Sequence, residues 1–415
     1  MKTKFYFIIV MLMIISVRNC VGQTAYITNC TDYSISVINV ATNTVIDTIS
    51  SGGCPYGVST NPNGNETYIT NELGNTVSVI NTTTDSVTSY IPVGSSPTGI
   101  SVNSNGSKVY VTNKNSNNVS VINTSTHTVS ATIQVDPYPW GVAADIIGNN
   151  VFVTHSNSAG TVSVINGSTN SISTTIPVGN SPHGVCVSPT GIRVYVTNFG
   201  DSTVNVINTI SNIVSASIVV GSSPSAICIS PDGSKVYVSN WNDNSVSVIN
   251  TITNTVTNTI SVGIKPIGLS LSPDGSKLFV VNELSNTVSV INTALNTVTA
   301  SIPVGSNPIA FGNFISSYTQ PAAIASYKTE SENISISPNP FTSQTTITFN
   351  EEQKNTTIKI MDVLGNCIQQ KTANGSAGSP TRQLTLDMSD VAKGIYFVQV
   401  MQENKNVINK KIIIN

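Results

Sequence analysis

The tetrapeptide Tyr-Val-Thr-Asn, or a close variant of it, returns seven times along this chain, beginning at Tyr26, Tyr68, Tyr110, Phe152, Tyr195, Tyr237 and Phe279. Every step is 42 residues except that from Phe152 to Tyr195, which is 43. So regular a period means one supersecondary unit copied around or along an axis. One copy shows the unit: β-branched runs begin at Pro97, Val109, Val119 and Val129, separated by Asn/Gly/Ser/Thr turns, and no run has helical spacing. Four strands in 42 residues is the size of a propeller blade. We call them A, B, C and D in chain order.

The turns agree with this reading. The A–B hairpin carries Asn63-Gly64, Asn105-Gly106, Asp232-Gly233 and Asp274-Gly275, pairs suited to tight hairpins. One C–D slot holds Asn43, Asp85, His127, Asn170, Asn212, Asn254 and Asn296, residue types that tolerate the left-handed region, which makes His127 a turn residue rather than a catalyst. The first copy lacks strand A, and a matching strand stands at the other end as Pro308 to Phe314. Together they complete one blade and close a ring, leaving no free repeat end. The expected fold is all-β: a seven-bladed β-propeller over residues 23–315, a polar linker over 316–332 and a small β-sandwich over 333–415.

These residues resemble the YVTN-type β-propeller repeat family of surface-layer and secreted proteins. The resemblance rests on Val-Tyr-Val-Thr-Asn, on Thr76–Asn81 (Thr-Val-Ser-Val-Ile-Asn) and on Ile91–Gly99 (Ile-Pro-Val-Gly-x-x-Pro-x-Gly). It implies a fold and a cell-surface habit, and no reaction. The tail resembles the type A sorting domain of the type IX secretion system of Bacteroidetes, through Pro338-Asn339-Pro340, Asp362 to Gly365, Lys393-Gly394-Ile395-Tyr396 and Lys411-Ile412-Ile413. That resemblance implies export across the outer membrane, with the secretion machinery as a partner. At the other end, Lys2 and Lys4 precede an apolar run from Phe5 to Val17, and small residues near Gly22 offer a cleavage site, so residues 1–22 read as a secretory signal peptide. No later segment has the length and apolarity of a transmembrane helix.

Charged residues make up 9% of the chain and the net charge is −2, so no basic patch exists for a nucleic-acid backbone. Cys186 and Cys228 share a strand-A slot otherwise filled by Ser, Ala and Gly, which suggests buried thiols. Cys30 and Cys54 sit in loops at one end of the closing blade and form a candidate disulfide in an oxidising compartment.

Function must lie where the copies differ. The D–A and B–C loops share one face of the disc, and the A–B and C–D turns share the other. In the D–A loop, the x of Pro-x-Gly/Ala is Tyr56, Thr98, Trp140, His183, Ser225, Ile267 or Ile309. The end of strand B is Asn in every copy but the fourth, where it is His155. The following residue is Phe199 in the fifth copy and Trp241 in the sixth. Both tryptophans and two of the three histidines of the chain thus fall on one face, with Tyr138 beside them, and the extra residue of the 43-residue step falls there too, just after His155. We expect Tyr56, Tyr138, Trp140, His155, His183, Phe199 and Trp241 to form a ligand site for an extracellular glycan or protein, on a propeller expected to be monomeric and to need no cofactor. Two other readings stay open: a structural or adhesive surface protein, in which these rings pack on one another, and a lyase- or lactonase-type propeller using His155 and His183. No nucleophile motif, acidic ladder or Ca²⁺ loop supports catalysis.

Overall fold

The computed structural model describes residues 23–145, 149–316, 334–353, 356–361, 367–373, 381–402 and 405–414. The expected signal peptide, residues 317–333 of the linker region and the Asp362–Gly365 motif lie outside the described residues. The chain divides into two compact units, Met1–Ala322 and Ala323–Asn415.

The first unit is a ring of seven blades. Six are four-stranded antiparallel sheets in A-B-C-D order. Blade 3, for example, comprises Pro97–Val102, Lys108–Asn113, Asn118–Asn123 and Thr128–Gln134. Strands B and C are buried almost throughout, because each blade is covered on both faces by its neighbours, and they therefore carry near-continuous β-branched runs. Strand D, on the outer rim, alternates exposed and covered residues.

Each letter of the repeated tetrapeptide has a structural task. The aromatic ring is fully buried between blades: all seven of these residues are at most 1% exposed. The threonine hydroxyl ties one blade to the next. Thr112 accepts the Gly99 amide at 2.8 Å and donates to the carbonyl of Trp140 in the following blade at 2.6 Å. Thr154 does the same between Gly141 and His183. The Pro-x-Gly glycine permits this approach: a Cβ on Gly99 would lie 2.3 Å from the Trp140 carbonyl oxygen. The asparagine amide donates to strand C of its own blade, as Asn113 does to Asn118 and Ser120. The seventh copy carries Val281 in place of threonine and so lacks the hydroxyl link.

The ring closes through the C-terminal strand. Blade 1 has strands Thr24–Asn29, Ser34–Asn39 and Thr44–Ser50. Residues 307–316 complete it antiparallel to the first: the Tyr26 amide donates to Phe314, the Ile309 amide to Thr28 and the Cys30 amide to Asn307. The same segment also bonds to blade 2, where the amides of Val58 and Thr60 donate to Phe311 and Asn313. Ala310 and Gly312 have positive φ, so this strand is bent between two blades, unlike a regular strand A. Phe314 is fully buried in the closing core. A disulfide joins Cys30 to Cys54, Cα atoms 4.2 Å apart, and links the B–C loop of blade 1 to the start of blade 2. His127 lies at φ 52° in its turn, with its ring on Glu66 of the preceding blade.

The second unit has a three-stranded sheet (Ile334–Ser337, Gln344–Gln353, Thr381–Asp387) and a four-stranded one (Cys367–Ala373, Thr356–Met361, Gly394–Gln402, Lys405–Ile414). They share an apolar core that includes Phe341, Ile347, Ile360, Tyr396 and Ile412. Pro338, Asn339 and Pro340 precede the second strand, where the Thr345 hydroxyl donates to the Pro338 carbonyl. Gly394 opens the strand that contains Tyr396, whose hydroxyl donates to the Ala392 carbonyl, and Lys411 lies in the last strand.

Candidate functional site

On the D–A/B–C face the loop residue after each strand B is clamped to the D–A loop beside it. The amides of Ser156, Phe199, Trp241 and Glu283 donate to the carbonyls of Tyr138, Ser181, Ser223 and Lys265. Those four acceptors all have positive φ, so the turn presents its carbonyl toward the neighbouring loop. This clamp brings the variable x residue and the variable B–C residue of one blade side by side.

In blades 4 to 6 the result is a continuous run of rings. Trp140 stacks on His183 with centroids 4.6 Å apart and planes at 10°. His183 stacks on Phe199 at 4.4 Å and 22°. Phe199 meets Trp241 at 6.0 Å in a tilted contact. Behind Trp140, Tyr56 makes an edge-on contact at 6.0 Å and in turn touches Phe311 of the closing strand. A lysine covers each end: Lys114 Nζ lies 4.6 Å from the Trp140 ring centre and Lys265 Nζ 3.5 Å from that of Trp241. Trp241 Nε1 donates to Glu283 at 2.8 Å. Trp140 Nε1 is buried and makes no hydrogen bond to the described residues.

Five of the seven expected residues therefore come together: Tyr56, Trp140, His183, Phe199 and Trp241. Two do not join the stack. Tyr138 is 51% exposed at a left-handed turn position. His155 occupies the structural asparagine slot, fully buried, with Nε2 2.9 Å from Ser163 Oγ. Imidazole substitutes there for the amide because it too reaches the strand-C hydroxyl. The extra residue of the long step lengthens the loop that follows, residues 156–160.

The electrostatics make both histidines neutral. Burial, helped by the nearby Lys114 charge, pushes His183 down to about 3. Burial also lowers His155, against an opposing pull from Asp136. Neither is poised for acid–base work near neutral pH. Among the described residues, no group of three or more His, Cys, Asp or Glu side chains is arranged to hold a metal ion. The free thiols of Cys186 and Cys228 only partly meet solvent, and their burial raises both, which makes them poor nucleophiles. A pocket among the inner strands, lined by Gly99, Val142, Gly184, Ala226, Leu269 and Phe311 among others, has room for about 30 Å³. That is the space of one water rather than of a substrate.

Comparison with known proteins fits this geometry. Residues 335–415 match the family model described as a secretion system C-terminal sorting domain, and residues 192–306 match that described as a lactonase, seven-bladed β-propeller. The chain is a seven-bladed β-propeller with a C-terminal sorting domain. The sorting domain marks the propeller for export, to the cell surface or beyond it. Among solved structures, a hydrazine synthase of Kuenenia stuttgartiensis is 20% identical with a TM-score of 0.57, over 62% of this chain and 88% of that one. A functionally unknown protein from Desulfotomaculum acetoxidans DSM 771 is 16% identical with a TM-score of 0.61, over 70% of this chain and 99% of that one. At such identities the likeness concerns the fold alone. No curated protein matches the chain.

Proposed function

We infer that the exported propeller is a docking module that binds a protein partner through the lysine-capped ring stack of blades 4 to 6. The observation that carries this reading is the stack itself. Trp140 and His183 occupy a slot that holds Thr98, Ser225, Ile267 and Ile309 in other blades, and Phe199 and Trp241 one that holds Glu72, Lys114, Ser156 and Glu283, so the ring of blades does not require them. A sugar would need an open aromatic face, and the flat faces here meet another ring or a lysine. What the stack offers outward is ring edges and two ammonium groups, with Glu283 at one end, which suits the aromatic and charged anchors of a protein hot spot.

The test uses the propeller on a glycan array and in capture from its native surroundings, alongside a Trp241→Ala, Lys265→Ala variant. The expected result is a captured protein whose retention falls at least about thirtyfold in the variant, matching a hot-spot loss of about 2 kcal/mol or more. Thermal stability of the variant should change by less than about 1 kcal/mol, since both side chains are only part-buried. Array binding that depends on these two residues, or capture indifferent to them, would defeat the proposal.

A second reading follows from the match of residues 192–306 to the lactonase model, which supports ring opening of a lactone. It faces the depressed His183 and the absence of a metal-holding cluster among the described residues. Hydrolysis of γ- and δ-lactones by the purified chain, lost in His183→Gln, would establish it over docking.

A further inference from the structure

The opposite face, where the A–B and C–D turns emerge, holds a cleft between blades 3 and 4 of about 370 Å³. One of its walls is a departure in the repeat. The residue after the last asparagine of strand C is Val40, Thr82, Thr124, Gly167, Thr209, Thr251 and Thr293 in blades 1 to 7. The threonines brace their own A–B turn, as Thr251 does on the Gly233 carbonyl at 2.7 Å. Thr293 also faces the hydroxyl of Tyr237, the core ring of the preceding blade. In blade 4 the slot is Gly167, which has no hydroxyl to offer Tyr110.

Tyr110 is consequently unlike the other core tyrosines. Tyr26 donates to Asp85 at 2.9 Å and Tyr68 to Glu66 at 2.5 Å. Tyr110 is 1% exposed, lines the cleft, and its Oη makes no hydrogen bond to the described residues. A buried hydroxyl without a partner costs about 1–3 kcal/mol. Lys108 stands beside it, its ammonium donating to the Gly167 carbonyl and Asn170 and retaining a third donor. The other walls are amides and hydroxyls, chiefly Asn103, Asn149, Asn150 and Ser107.

We propose that this cleft is a binding site for a neutral sugar residue. The lining is polar, which disfavours an apolar ligand. It carries one ammonium (Lys108) and one carboxylate (Asp145), so the charges offset and a strongly anionic ligand gains little. A pyranose hydroxyl both donates and accepts, as Tyr110 Oη and the surrounding amides require. The volume lies near the lower end of small-ligand sites, about 300–1,000 Å³, which suits one or two sugar rings. The site is independent of the docking surface on the other face.

The experiment is saturation-transfer NMR and calorimetry on the full exported chain with free glucose, galactose, mannose and N-acetylglucosamine. At least one of them binds the unaltered protein. Tyr110→Phe weakens it roughly two- to tenfold, the worth of one hydrogen bond. The ring tolerates this change, since Phe152 and Phe279 fill the same position in two other blades. Ser107→Trp, at an exposed rim position, abolishes binding by filling the cleft. Trp241→Ala leaves it unchanged. The proposal is overturned if none of the four sugars binds, if binding survives Ser107→Trp, or if it is indifferent to Tyr110→Phe.

Discussion

Blades 1 and 4 both depart from the 42-residue repeat, and they depart in opposite ways. Blade 1 is broken in its backbone: its inner strand comes from the far end of the chain and is bent by two residues with positive φ. That break is bridged in three ways. The segment bonds to two blades, Phe314 fills the core, and a disulfide spans the join. Blade 4 keeps its backbone topology, gains one residue after His155 and changes side chains: Trp140, His155 and Gly167. Those changes leave Tyr110 Oη and Trp140 Nε1 without partners among the described residues. A departure that the fold repairs is architecture. One left unrepaired, at a buried polar atom, is where a ligand or partner has something to satisfy.

The contrast can be broken first at the seam. Replacing Cys30 and Cys54 by serine should cost about 3–4 kcal/mol, the chain-entropy value for closing a loop of this length. Denaturant unfolding of oxidised protein and variant gives the figure, and a difference below about 1 kcal/mol would show that the other contacts already hold the closure. Next in size is the threonine link. Thr112→Val removes the hydroxyl between blades 3 and 4 and leaves the Trp140 carbonyl short of a donor, at a cost of about 1–3 kcal/mol. The reverse change, Val281→Thr at the one blade lacking this hydroxyl, should be neutral or stabilising. Equal effects of opposite substitutions at the two sites would mean that the link carries no net energy.

The last effect, felt only below neutral pH, concerns acid. His183 titrates at about 3 in the folded protein, below its unfolded value of about 6.5, so the folded state binds fewer protons. Its contribution is complete above about pH 6.5 and is lost as pH falls from there toward 3. His183→Phe, which preserves a ring in the stack, should flatten that part of the stability–pH curve. Lys114→Ala should raise the His183 titration midpoint, followed by NMR. An unchanged curve and midpoint would place His183 in solvent rather than in the stack.

The repeat made the ring, the strand count and the closing strand legible, because a propeller blade needs little more than β-branched runs and turn residues at fixed offsets. The left-handed slot of His127 followed from its six counterparts. The gathering of Trp140, His183, Phe199 and Trp241 on one arc was visible in alignment of the copies, since position in a blade fixes position on a face. Their mutual stacking was not: ring orientation depends on rotamers and on the loop clamps, which leave no trace in residue type. The same limit hid the role of His155, whose unusual identity suggested a site while its position made it a buried substitute for asparagine. The cleft beside Tyr110 is illegible in the sequence for the opposite reason. A glycine in a turn attracts no attention, and the missing threonine hydroxyl matters only because a tyrosine of the preceding blade ends beside it.

The closing strand has a consequence for when this protein can exist as a folded object. Residues 307–316 hydrogen-bond to residues 24–30 and to blade 2, so the ring stays open until nearly the whole propeller has been synthesised. The closing strand immediately precedes the segment leading to the sorting domain. A chain that ends prematurely in any blade therefore lacks both the latch of the ring and the address for export. Truncated products are left unlatched and undelivered by the same cut, which makes release of a half-built ring outside the cell self-limiting.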